Sequence, residues 1–157
     1  MRLSAPLNPI TRPRRIAAIV LMLGVVTFAT DPHSETAAID LEAAEYRTSP
    51  LFPGVETAIV FGDRAAPGLY ATHARVAAGA VIPPHTHPNT LTTWVTSGTA
   101  YVGTGTVLDM EALRPYPAGT FFVTPAGSPH FIVAKDGAFS ILDHGAGPSG
   151  IEILPKE

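Results

Sequence analysis

From Val55 onward the chain runs in short apolar or alternating segments, each closed by a turn signal. These signals are Pro67-Gly68, Ala78-Gly79, Ser97-Gly98, Gly103 to Gly105, Ala118-Gly119 and Gly145 to Gly147. Segments this short, broken this regularly, predict an all-β sandwich or barrel of about eight strands. The unbroken apolar runs Phe121 to Val123 and Phe131 to Val133 predict buried strands that add core on both faces. Phe139 to His144 alternates, which predicts a further strand ended by Gly145 and Gly147. One short helical turn is expected over Asp109 to Leu113, stopped by Pro115. Before Val55 the pattern changes. Asp31 to Pro53 is polar and alanine-rich, and reads either as a lead-in with a helical turn over Leu41 to Tyr46 or as a tether.

The N-terminus carries a different pattern. Arg12, Arg14 and Arg15 precede an uncharged run from Ile16 to Thr30, and polar sequence begins at Asp31. A basic region, a short apolar region and the small-residue step Thr27-Phe28-Ala29 predict a signal peptide over residues 1–29, with Ala38 as a later cleavage point. The run is short of the roughly 20 apolar residues of a membrane span, so membrane contact is expected only through an uncleaved anchor. Arg14-Arg15 also suggests twin-arginine export. The expected location is periplasmic or secreted. The mature chain then divides into a lead-in, residues 30–54, and one domain, residues 55–157.

Charge and cysteine content narrow the function. Removing residues 1–29 takes four arginines from ten basic side chains and no acid, leaving six against thirteen. A net charge of minus seven argues against nucleic acid as a partner. The sequence contains no cysteine, so the fold rests on its core and on any metal it binds.

Three histidines carry the candidate chemistry. His85 and His87 lie two apart, so on an extended segment both face one side and can reach a single ion. Pro83 and Pro84 before them cannot donate to a ladder, which places this approach at a rim or edge. Leu91 shares the face of His87 by parity, with Thr93 and Val95 following inward and Thr92 and Trp94 outward. His130 follows the turn-forming Pro125 to Pro129 and begins the second apolar run, which supplies a third nitrogen. Three neutral imidazoles leave a divalent ion with its full charge, so its open positions favour an anionic small molecule. The donor set suits non-haem Fe(II) with substrate and O₂ side by side, or tetrahedral zinc with an activated water.

In the strand from Phe139, His144 shares a face with Leu142 and Ser140, and Asp143 with Ile141 and Phe139, so either set can be interior. If the first set is, His144 is the candidate acid or base beside the metal. His73 shares a face with Arg75; the pair suits an anion, and a solvated strand face accounts for it equally.

These segments resemble the two motifs of the cupins. The first runs Gly, five residues, His-x-His, three or four residues, Glu, six residues, Gly, and is met by Gly79, His85, His87 and Gly98. The second runs Gly, five residues, Pro-x-Gly, two residues, His, three residues, Asn, and is met by Gly119, Pro125, Gly127 and His130. Leu91 stands in place of the Glu and Ala134 in place of the Asn. The resemblance implies an all-β double-stranded β-helix, or jelly-roll, barrel, with metal on His85, His87 and His130. Some cupin dioxygenases acting on thiols or dihydroxy-aromatic acids also use three histidines. The resemblance thus favours Fe(II), with zinc, manganese or nickel as alternatives, in a metal-dependent dioxygenase. The other readings are a non-enzymatic module that binds or senses a small ligand or metal, and a zinc-dependent hydrolase or isomerase. Many cupins dimerise through their sheets, so a homodimer is possible.

Overall fold

A computed structural model of the protein describes residues 38–155; the predicted signal segment lies outside them. In chain order the strands are β1 Arg47–Thr48, β2 Val55–Phe61, β3 Gly68–Val76, β4 Val81–Thr86, β5 Leu91–Ser97, β6 Thr99–Thr104, β7 Arg114–Pro117, β8 Phe121–Thr124, β9 His130–Val133, β10 Phe139–Gly147 and β11 Glu152–Ile153. They form a six-stranded sheet, ordered β1-β2-β3-β10-β5-β8, and a five-stranded sheet, ordered β11-β4-β9-β6-β7. Every pairing is antiparallel. This is the expected all-β jelly roll. The strand count exceeds eight because β1 and β11 are two-residue pairings at sheet edges and β7 is an edge strand built around Pro115 and Pro117. Prolines are tolerated there because an edge strand needs only half its backbone donors.

The two sheets bury one core between them. Val55, Ala74, Val76, Val95, Phe139 and Ile141 come from the larger sheet, and Ile82, Ala100, Val102 and Ile132 from the smaller. Phe131 and Val95 are fully buried, each worth about 1.5–3 kcal/mol relative to exposure.

Three local expectations are corrected. No helix occurs among the described residues. At Asp109 the carboxylate accepts the Glu111 N–H at 2.9 Å, so a side-chain turn replaces the helical one. At Asp40 the carboxylate accepts the Glu42 N–H in the same way, and the lead-in is no tether: β1 pairs with β2, and Phe52 is 5% exposed within the core. Finally, Phe121 to Val123 does not bury both faces. Because β8 closes the edge of its sheet, only Phe122 turns inward, against Tyr116, while Phe121 and Val123 are exposed.

Candidate metal centre

The histidines reach one point because β4 is irregular. Its register against β9 shifts between Ile82, opposite Ile132, and His85, opposite His130. Pro83 and Pro84 occupy this bulge, where a missing N–H costs least. The extra residue lets Ile82 and His85, three apart, both face inward. His87 lies one residue past β4, and its carbonyl accepts the Gly127 N–H at 2.8 Å. That bond ties the Pro125 to Pro129 turn to the His-x-His segment.

All three imidazoles are buried, with His85 and His130 ring centroids 4.1 Å apart. One ring nitrogen of each lies within 4.8 Å of the others. Their tautomers follow from their partners. His85 Nδ1 meets the Pro83 carbonyl at 2.7 Å, His87 Nδ1 the Gly150 carbonyl at 2.9 Å, and His130 Nδ1 the Ser128 carbonyl at 3.1 Å. A carbonyl only accepts, so each Nδ1 carries the proton and each Nε2 keeps its lone pair free. Burial pushes the pKa of His85 down to about 3, helped by the neighbouring His130. Burial lowers His87 and His130 as well. Three imidazoles held neutral with lone pairs free are the state a divalent metal requires.

The three histidines line a cavity of about 70 Å³ that is walled on its other side by the larger sheet. Asp143 on β10 stands opposite Thr72 of β3 on one flank and Thr93 of β5 on the other, and all three line the cavity. Thr93 Oγ1 donates to Asp143 Oδ1 at 2.6 Å. Burial nonetheless raises the Asp143 carboxyl to about 6, against the opposing pull of the Thr93 bond and of Arg64. Arg64, from the β2–β3 loop, also lines the cavity. Leu91 lines it too, as parity requires, so no carboxylate occupies the place of the cupin Glu. Ala134 is fully buried and brings no donor.

His144 does not join the three histidines. The interior set of β10 is Phe139, Ile141 and Asp143, and His144 lines an outer depression with Phe61, Leu69 and Thr92. Alternation alone left the two sets equivalent. The signal that separates them is that Phe139 and Ile141 are large and apolar whereas their alternates include Ser140, and this would have assigned Asp143 to the cavity. Arg64 and Thr72 carried no comparable signal.

His73 and Arg75 lie elsewhere, on the outer face of the larger sheet, beside a hollow of about 700 Å³ partly walled by the lead-in. His73 is 4% exposed rather than solvated, because Tyr46 from the lead-in seats on it. Tyr46 donates to the Leu41 carbonyl and so accepts from His73 Nδ1 at 2.6 Å, leaving His73 Nε2 to accept from Thr96 at 3.0 Å. Arg75 pairs with Glu42 at 2.9 Å and lies 3.8 Å over the Tyr46 ring. These groups bind the lead-in to the barrel and are already satisfied.

Solved structures share this architecture at low identity. The polyketide cyclase RemF from Streptomyces resistomycificus superposes with a TM-score of 0.65 at 14% identity, over 78% of this chain and 87% of its own. A cupin-2 domain protein from Rhodospirillum rubrum gives 0.57 at 17%, over 78% and 81%. A variant of salicylate 1,2-dioxygenase from Pseudoaminobacter salicylatoxidans, solved with gentisate, gives 0.53 at 18%, over 64% of this chain and 29% of that one. These likenesses establish the fold. No curated protein matches the chain in sequence. The family profile of the ChrR cupin-like domain matches residues 34–148, spanning most of the lead-in, both histidine segments and all of β10, and the chain belongs to that cupin family.

Proposed function

We propose that the protein is a metal-dependent enzyme acting on a small anionic molecule, with His85, His87 and His130 holding a divalent ion through Nε2. One observation carries this reading: three buried, neutral imidazoles each spend Nδ1–H on a backbone carbonyl, keep Nε2 free, and bring one ring nitrogen apiece within 4.8 Å of the others. Ferrous iron is one ion that this donor set suits, the one the cupin resemblance favours, and when bound it would supply a Lewis-acidic centre with open positions for substrate and O₂. The similar fold of a dioxygenase solved with gentisate supports oxygen chemistry of this kind.

The chain's own residues do the rest. Arg64 draws an anion into the cavity, while Leu91, Phe122 and Ile132 among its lining keep water out. Asp143, with its pKa near 6, takes or returns a proton close to neutral pH, the role first assigned to His144. The N-terminal signal pattern, which lies outside the described residues, supports an activity in the periplasm or beyond.

Elemental analysis of the exported protein tests the metal site directly. Near-stoichiometric iron is expected, and is expected to be lost when His85, His87 and His130 are all changed to Ala. Oxygen uptake by iron-loaded protein on small thiols, diols and carboxylic acids tests the chemistry. Metal without turnover would favour the binding-module reading, which Leu91 supports by withholding the carboxylate; no metal would remove the enzyme reading.

A further inference from the structure

Opposite the histidines, three polar functions have nothing to bind. Thr72 is 8% exposed, and its Oγ1 is buried without a hydrogen-bond partner. Asp143 uses Oδ1 for Thr93, while Oδ2 makes no hydrogen bond among the described residues. Arg64 makes no side-chain hydrogen bond or ion pair among them either; the single ion pair found there is Arg75 with Glu42. All three groups line the cavity that holds the histidine trio, and Thr72 and Asp143 are direct partners across the β3–β10 ladder. A buried hydroxyl without a partner costs free energy, and beside a free carboxylate oxygen and a free guanidinium it is accounted for by a ligand.

We infer that Thr72, Asp143 and Arg64 form a recognition subsite for a compact hydroxy acid, Arg64 taking its carboxylate while its hydroxyl donates to Asp143 and accepts from Thr72. The inference rests on the proposed function for the role of the metal, and names the substrate class of that same site. Each group supplies what the others lack. Thr72 can donate, ionised Asp143 only accepts, and Arg64 only donates. A hydroxyl satisfies Thr72 and Asp143 together, which an ether or a second carboxylate does not. An ammonium in its place can donate to Asp143 but offers Thr72 Oγ1–H no acceptor, and it adds positive charge beside Arg64 and a divalent ion, so amino acids are disfavoured. Size points the same way, because about 70 Å³ admits only a few water-sized groups.

The test titrates the zinc-loaded mature protein calorimetrically with 3-hydroxypropionate, propionate and β-alanine. Zinc is redox-inert, so binding is read without turnover. Wild-type protein is expected to bind 3-hydroxypropionate roughly tenfold more tightly than propionate, and β-alanine more weakly than either. Thr72→Val is expected to reduce the hydroxyl advantage to under about twofold without lowering Tm, since the hydroxyl removed has no partner among the described residues. Thr72→Ser is expected to restore it. Arg64→Gln is expected to weaken both acids by a similar factor. An advantage that survives Thr72→Val would mean that the hydroxyl chelates the metal or that Thr72 holds only water, and either would overturn the inference; so would the absence of binding by all three acids at millimolar concentration. Metal content measured on the same samples separates the two readings. Full metal without Thr72-dependent discrimination sinks the subsite alone, and Thr72-dependent discrimination in protein that takes up no metal sinks the enzyme reading alone.

Discussion

Leu91 sets the character of the site. It turns to the cavity face where the cupin motif carries Glu, so the candidate donor set stays at three uncharged nitrogens and an ion held there would keep its charge for a ligand. Leu91→Glu is expected to reverse this. A carboxylate there tightens binding of a hard ion such as Mn²⁺ on the order of tenfold, about 1.4 kcal/mol. It also weakens attraction for an anionic substrate, because the ion's charge is partly cancelled. Competition titration with a metal-chelating dye measures the first effect. Unchanged Mn²⁺ affinity would mean that the new carboxylate does not reach the ion. In metal-free protein the same change is expected to lower Tm, since the buried carboxylate has no bound ion to offset its desolvation.

At the scale of elements, the site depends on how closely β6 and β9 approach. Gly103 pairs with Phe131, and a Cβ on Gly103 would come within 2.1 Å of the Phe131 ring. Phe131 is fully buried and adjoins His130, so it has nowhere to retreat. Gly103→Ala is therefore expected to cost about 1–3 kcal/mol in urea denaturation and to weaken metal binding by displacing His130. Loss of stability with unchanged metal affinity would show that β9 absorbs the strain without moving the histidine. This contact was not legible in the sequence, where Gly103 reads as one more turn glycine. The histidine segments were legible because their glycines and prolines mark turns while alternation fixes which side chains share a face; Leu91 and Thr93 fell inward accordingly. Strand position within a sheet leaves no such local mark. The apolar run Phe121 to Val123 looks like Phe131 to Val133, and only the pairing order makes one an edge and the other core. The same limit hid Arg64 and Thr72, which line the cavity only through neighbours distant in the chain.

For the whole molecule, the cavity places two opposing pH dependences on folding. His85 stays neutral down to about pH 3 in the folded protein, whereas in the unfolded chain it protonates near 6.5. As pH falls below 6.5 the unfolded chain takes up protons that the folded one refuses, so stability drops with acid; His87 and His130 act in the same direction. Asp143 has the reverse sign. Folded, it binds its proton up to about pH 6, whereas the unfolded value is 3.8, so its contribution falls as pH rises through that interval and stays low above it. Three imidazoles outweigh one carboxyl, and chelator-treated protein is expected to lose stability from pH 7 to pH 5. Asp143→Asn removes only the opposing component. It is expected to stabilise the metal-free protein at pH 7.5 by up to about 3 kcal/mol, from a shift of roughly two pKa units, and to change little at pH 4. A metal would act on the histidine component, because only the folded, neutral trio could hold it: zinc at one hundred times its Kd is expected to add about 2.7 kcal/mol at pH 7. Urea midpoints for both proteins at pH 4, 5, 7 and 7.5, with and without zinc, resolve these contributions. A wild-type profile that stays flat from pH 7 to pH 5 in the absence of zinc would mean that the three imidazoles are hydrated rather than sealed in the barrel, and the low-dielectric site on which the proposed chemistry depends would be absent.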